Sequence, residues 1–454
     1  MEYIEAINKF RDIEDKYDVM SIKYKGVSIW PFLRIYLFDS IATHNAVEYS
    51  SSILLIVLKS LFQFNPLKFF KHYKIWDYAA SITRKRIGDK YEHHVSGYLH
   101  KSGYPVLTVE FPSPGARGIK REEIPEKNIV SASWSLLLTA FIDILYRPLS
   151  RKIKNEDLLK KIIIELGVDF NYKMRLRRLC AQKKAKDIIL AIGHKPKLVI
   201  LECYYTNMGN IWSFHNHGIP VIELQHGVVN NKHYAYNCKF HSEELYPDEF
   251  CVYGIEEYDY FTHKETPFSN VVTQTGVYIL ESSDNYFRND LFEKFRKEYN
   301  KIIVVAGETV IEDKLSAFID EAAKMLPHCF FVYIPRRKSD LHFESHNVKF
   351  VFGVNIYEYL KWCDVHVTHA STTGLEAHYF RKPVIYCDFE GVAFEYYGKV
   401  INEKNGAFYV HTLEEFVDKI EKIDNRSYEY RELFAHNSEK RLAEVLERHL
   451  SKIK

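Results

Sequence analysis

The sequence predicts an α/β protein of two doubly wound, Rossmann-like domains facing a cleft. Three observations lead there. From about residue 300 short apolar runs alternate with helical patterns, the signature of βαβ units and a parallel sheet. A looser version of the same rhythm occupies the first half. A chain of 454 residues with 46% hydrophobic content exceeds a single core, since single cores stop growing near ~250–300 residues.

In the second half, Lys301–Ala306 (KIIVVA) reads as a buried strand, 313–326 as an amphipathic helix and Cys329–Ile334 (CFFVYI) as the next strand. Strands at 347–352, 364–368 (DVHVT) and 383–387 (PVIYC) follow, with helices at 357–362, 373–380 and 413–423. The first half offers strands at 78–82, 105–110, 198–203, 220–224 and 249–253, with helical stretches at 131–147 and 156–191 to cover them. A polar break at 282–285 (SSDN) marks the domain boundary. The expected division is an N-terminal helical extension over 1–75, an acceptor domain over 76–283 and a donor domain over 284–454. A final helix, about 428–451, is expected to cross back onto the first domain.

Composition excludes several classes. The 62 basic and 60 acidic side chains nearly cancel, so no global field draws the chain to nucleic acid. The seven cysteines are odd in number, scattered and never spaced C-x-x-C, which argues against a disulfide framework or a zinc site and for a reducing compartment. The N-terminus lacks the basic-then-apolar layout of a secretory signal. The longest apolar run, 53–58, falls far short of the ~20 residues that cross a bilayer. A cytoplasmic protein, soluble or peripheral on a membrane, is expected. Residues 49–76 carry Lys59, Lys68, Lys71 and Lys74 among Phe62, Phe64, Phe69, Phe70, Tyr73 and Trp76, with no acidic residue. That mixture fits either contact with an anionic membrane surface or a core- or oligomer-facing helix pair broken at Pro66.

Open parallel sheets bind ligands beyond the carboxyl ends of their strands. After the strand at 364–368, the run His369-Ala370-Ser371-Thr372-Thr373-Gly374-Leu375-Glu376 leads into a helix whose free N–H groups suit a phosphate, with Glu376 one turn in to reach a ribose hydroxyl. Thr373 and Glu376 also span an ordinary capping box. Gly307-Glu308-Thr309 follows the first strand of that domain, where glycine lets backbone approach a ligand closely. Arg336 and Arg337, with Lys338, follow its second strand and would neutralise a departing phosphate. In the first domain, Gln225-His226-Gly227 ends a buried strand at the cleft mouth, where His226 is placed to deprotonate an acceptor hydroxyl or to meet a phosphate. Glu202, ending another strand, is the alternative base. Arg117, in the loop 111–118 (FPSPGARG), would grip an acceptor.

No G-x-x-x-x-G-K-[ST] loop, G-x-G-x-x-G fingerprint, H-E-x-x-H helix or D-x-D metal motif occurs. His93-His94 and His215-Asn216-His217 read as surface helix positions.

The segments ELQHGVV at 223–229 and DVHVTHASTTGLEAHYFRKPVIY at 364–386 resemble bacterial capsule, lipopolysaccharide and teichoic-acid transferases of GT-B architecture, over roughly residues 195–425. The resemblance implies a metal-independent glycosyltransferase with no cofactor beyond its nucleotide-sugar substrate and with a lipid-linked or oligosaccharide acceptor. Residue by residue, it implies that His226 and Gly227 line the cleft from one side. Ser371, Thr372, Thr373 and Glu376 would bind the donor nucleotide from the other. Such relatives often carry His-Pro after the second strand of the donor domain, or Trp before the His-Gly turn. Here Arg336 follows Pro335 and Gln225 precedes His226, which favours a nucleoside-diphosphate sugar. The alternatives are a sugar-nucleotide 2-epimerase on the same paired-domain scaffold, a CDP-alditol-dependent polyol-phosphate transferase, and a non-catalytic glycan-binding subunit.

Overall fold

The computed structural model describes residues 3–42, 51–112, 119–147, 152–231, 233–264, 266–284, 290–309, 311–336, 340–389, 391–424 and 428–451. Its frame is a pair of parallel sheets. The first holds seven strands: β1 (Ile75–Ala80), β2 (Val106–Phe111), β3 (Ile129–Ser131), β4 (Leu198–Leu201), β5 (Val221–Leu224), β6 (Glu249–Val252) and β7 (Val272–Gln274). Their spatial order is β7-β6-β5-β4-β1-β2-β3. The second holds β8 (Lys301–Ala306), β9 (Cys329–Ile334), β10 (Val348–Phe350), β11 (Val365–Thr368), β12 (Val384–Cys387) and β13 (Ala407–Val410), in the order β10-β9-β8-β11-β12-β13. In both, the order reverses beside the first strand, β1 or β8, which opens a crevice at its carboxyl end.

The strands are continuous apolar runs because both faces are covered. Trp76, Tyr78, Leu107, Val109, Val199 and Leu201 pack on one side of the first sheet against helices Glu156–Leu166, Tyr172–Ile192 and Tyr204–Asn216. The N-terminal extension is part of this core, not a separate layer: Phe10, Trp30, Leu33 and Phe38 are buried in the same cluster. Arg34 is buried with them, its Nε 2.7 Å from Glu14, and its guanidinium also donates to the carbonyl of Tyr234. The stretch 156–191 is two helices, because Gly167, at φ 70°, ends the first in a left-handed turn.

A second cluster runs from Ile75, Leu198, Ile200 and Ile222 of the first sheet through Val277, Ile279 and Leu280 to Ile302, Val304, Val332 and Val384 of the second. Of the polar stretch at 282–285, residues 282–284 form the end of the helix Tyr278–Asp284. Ser283 is fully buried and accepts a hydrogen bond from Asn355 Nδ2 at 3.0 Å, so the polarity that suggested a linker is used for internal bonding.

The final helix, Ser438–Ser451, packs on the first domain. His449 Nε2 lies 2.6 Å from Glu249 of β6, Arg448 pairs with the same carboxylate, and Ser438 donates to Glu281. The segment before it presses on Gly254 and Gly276, where a Cβ would collide with the carbonyls of Leu433 and Ala435. Gly276 also sits at φ +74°, which favours glycine on its own account.

Candidate active site

The first wall of the cleft is built by the turn after β5. Gln225 is buried, and its amide is wholly engaged. Its Oε1 accepts from the N–H of Tyr253 at 2.8 Å, while Nε2 donates to the carbonyl of Gly227 at 2.8 Å and to Glu257 at 3.0 Å. These bonds fix the turn. The turn presents His226, whose ring leans toward the backbone carbonyl of Glu202 and whose Nδ1 is buried without a partner. Burial lowers its pKa to about 4, so the imidazole is neutral at physiological pH and the Nδ1 lone pair is free to accept a hydrogen bond or proton. Gly227 faces open space where a side chain would stand.

Glu202 follows β4 and turns toward the end of β1. It accepts from the N–H of Ala80 at 3.4 Å and from the hydroxyl of Thr83 at 3.2 Å, and burial raises its pKa. Its backbone, not its carboxylate, meets His226. Arg117 and Arg337 lie outside the described residues.

The second wall is built by the loops after β8 and β11. Gly307 is required by crowding, since a Cβ there would strike the Glu312 carboxylate and come within 3.1 Å of Pro335 Cα. Glu308 Oε1 accepts from the N–H of Ala370 at 2.6 Å and from Thr368 Oγ1 at 3.3 Å, tying the two loops together. One backbone donor expected to meet a phosphate is therefore held by a carboxylate. Thr309 and Arg336 are exposed. His369 donates from Nδ1 to the carbonyl of Cys387 at 2.6 Å and stacks on Phe389, which leaves its Nε2 as an acceptor.

The run after His369 divides in role. Ser371 Oγ accepts from the N–H of Thr373 at 3.3 Å. The Thr373 hydroxyl does not complete a capping box; it donates to His366 Nε2 at 3.0 Å, and His366 Nδ1 in turn donates to the carbonyl of Val304. Thr372 instead turns its hydroxyl to Glu376. Gly374 packs on the ring of Tyr386 so closely that no side chain fits. Glu376 is 4% exposed, with Oε2 lacking any partner. Burial pushes its pKa up to about 7, opposed by Lys85 and by the hydroxyls of Tyr357 and Thr372.

Two groups that the sequence reading missed join the walls. The hairpin Arg84–Ile87/Lys90–His93, inserted after β1, carries Lys85, whose field reaches Glu376 and is in turn opposed by Arg336. It also delivers His94, which is buried and not on a surface helix. The Tyr357 hydroxyl lies 3.5 Å from His94 Nδ1, and burial, Lys85 and His226 together depress His94 to about 3. The basic run Thr83-Arg84-Lys85-Arg86, directly after a strand, was the available signal. His93 is fully buried, 3.2 Å from Glu110, which Arg84 also contacts at 2.6 Å while reaching Glu126 at 3.0 Å. His215 pairs with Asp248 at 3.0 Å, away from the cleft.

Glu376, Tyr357, His94, Lys85 and His226 thus form one continuous polar seam between the domains. Unpartnered buried atoms on both sides, His226 Nδ1 and Glu376 Oε2, are groups that a polar ligand would satisfy. Among the described residues, no cluster of three His, Cys, Asp or Glu side chains is arranged to hold a metal ion.

No protein-family model matches the chain, and no curated protein does. Solved structures do. S. aureus MnaA in a co-structure with UDP superposes with a TM-score of 0.50 at 12% identity, over 84% of this chain and 98% of that one. The chain has the GT-B fold. Weaker likenesses to this GT-B protein are UDP-GlcNAc 2-epimerase from Methanocaldococcus jannaschii (TM-score 0.48, 9% identity, 82% of this chain and 99% of that one) and Acinetobacter baumannii MurG (0.46, 12%, 83% and 99%).

Proposed function

We propose that this GT-B protein is a sugar-nucleotide enzyme, and that it transfers a sugar from a nucleoside-diphosphate donor to a lipid-linked or oligosaccharide acceptor of a bacterial surface glycan. The observation that carries the reading is the seam joining Glu376 to His226 through Tyr357 and His94, which puts a buried carboxyl and a neutral imidazole on opposite walls of one cleft.

In this reading the donor's ribose hydroxyls bond to Glu376, and its diphosphate lies by Ser371 and Thr372 with Lys85 and Arg336 nearby. The acceptor hydroxyl attacks the anomeric carbon as His226 Nδ1 takes its proton. The bond from that carbon to the diphosphate oxygen breaks, and the charge that develops there is met by the two cations. Closure of the cleft excludes water that would otherwise hydrolyse the donor.

A second reading, sugar-nucleotide 2-epimerisation, is favoured by Glu202 and Glu376, two buried carboxyls both held above the usual range and so suited to exchanging protons. One experiment separates the two. The purified protein is first screened by thermal shift against UDP, GDP, dTDP, CDP and CMP, then incubated with the matching sugar nucleotide with and without acceptor. Release of nucleoside diphosphate only with acceptor supports transfer, and an epimer formed without acceptor supports the second reading. Consumption of a CDP-alditol would move the protein to polyol-phosphate transfer. Failure of every nucleotide to raise the melting temperature would sink both enzymatic readings.

A further inference from the structure

Apolar side chains left in water are usually scattered, and here they are not. Of the large hydrophobic residues that remain exposed, eight fall in two neighbouring segments: Leu58 (45%), Phe62 (82%), Leu67 and Phe70, then Leu136, Phe141 (59%), Ile144 and Leu145. The two segments are in contact. Ser60 Oγ lies 2.6 Å from Ser133 Oγ, Trp134 Nε1 donates to the carbonyl of Leu61 at 3.0 Å, and Phe62 meets the Trp134 ring edge-on at 6.1 Å. The turn Pro66–Phe70 continues the patch along β3, the edge strand, where Phe64 is buried with Ile124 and Ile129.

The helix Ser133–Leu145 is inverted relative to a surface helix. Its inner side packs on Tyr172–Ile192 through Ile142, against Ala181 and Ala185. Its outward residues, Leu136, Ala140, Phe141, Ile144 and Leu145, include no charge. A surface helix ordinarily turns its polar face outward. Asp143, the acid on this helix, is half-buried and neutralised by Arg177 at 2.7 Å.

Charge decides what covers this face. Lys59, Lys71 and Lys74 are exposed on the first segment, which has no acidic residue from 51 to 74, and Arg147, Arg178 and Lys184 are exposed on the adjoining helices. An apolar field bordered by cations complements an anionic bilayer, where the rings enter the interface and the cations meet phosphate headgroups. We propose that this face of the first domain docks on an anionic membrane surface. No helix among the described residues is long and apolar enough to cross a membrane, so the contact is peripheral. It also brings a cleft reading a lipid-linked acceptor to the surface that holds that acceptor, although the docking itself rests on the patch alone.

The test uses the full chain and sedimentation with vesicles of phosphatidylcholine alone or of phosphatidylcholine and phosphatidylglycerol in equal parts. Binding is expected to the anionic vesicles, weakening as salt rises. Phe62→Ser with Phe141→Ser should lower the affinity at least ~10-fold, and Lys59→Glu and Lys71→Glu about fivefold each. All four side chains are exposed, so the variants should melt with the wild type; a variant that does not is replaced by Ile144→Ser. Wild type that ignores anionic vesicles at low salt, or binds both kinds equally, overturns the proposal. So does self-association abolished by the phenylalanine changes without vesicle binding, which would give the face to a second copy.

Discussion

The Tyr357 hydroxyl of the second domain lies 3.5 Å from Nδ1 of His94 in the first. Tyr357 also holds Glu376, and His94 senses both Lys85 and His226, so this contact is where the two walls meet. The walls carry complementary chemistry: an acid held near neutrality on one side, imidazoles kept uncharged on the other.

Replacing either wall's key group should stop turnover without unfolding the protein. Glu376→Gln is expected to weaken nucleotide binding, seen as a smaller thermal shift, and to lower kcat/KM. His226→Ala should leave nucleotide binding near normal and cut kcat by about 10²-fold or more, as for loss of a general base. Near-normal rates in both variants would remove the site assignment.

Glu376 sets a pH dependence whose sign follows from its raised pKa. Between its ordinary value of 4.5 and about 7 the folded protein binds more protons than the unfolded chain. The stability it contributes is therefore complete below the lower value and is lost as pH rises through the upper one. Asp77 and Glu257, each pushed up to about 7 by burial, act in the same window. Buried His94 and His226, kept neutral, act in the opposite sense, so the test is a difference: the wild-type melting temperature should fall relative to that of Glu376→Gln as pH rises from ~5 to ~7.5. An identical slope in that variant would contradict the assignment.

Arg84, between Glu110 and Glu126 and beside His93, anchors the hairpin that carries Lys85 and His94. Arg84→Ala leaves two buried carboxylates without their main counter-charge. The expected cost is about 3–5 kcal/mol, measured by urea unfolding. A loss under ~1 kcal/mol would mean the network is wetter than its burial implies.

Gly276→Ala should loosen the terminal segment, because the new methyl meets the Ala435 carbonyl and the backbone is at φ +74°. Faster proteolysis between 424 and 438 and a melting temperature several degrees lower are expected. A variant as protease-resistant as wild type would show that the segment can shift at no cost.

Much of the frame was legible in the residues. Lys301–Ala306 and Cys329–Ile334 are strands over the predicted spans, because fully buried parallel strands write themselves as unbroken apolar runs. The seam was legible only in part. His226 and Glu376 stand out because each follows a recognisable strand. Lys85 sits on, and His94 just after, a hairpin whose sequence, RKRIGDKYEH, is mostly charged, and the partners that fix it, Glu110 and Glu126 on Arg84 and Tyr357 beside His94, are distant in the chain. Ser283 is buried for the same kind of reason: a polar residue reads as solvent-facing until its partner, Asn355, is known. The N-terminal 75 residues gave no sign that Phe10 and Trp30 would complete another domain's core, since that too is settled by contacts far apart in sequence.

The return of the last helix to Glu249 and Glu281 means the chain passes between the two lobes twice, once near 284–300 and again near 424–438. A body joined to another at a single point can swivel freely; joined at a pair of points, it turns chiefly about the line through them. Any opening of the cleft would thereby be confined to something close to one rotation about that line.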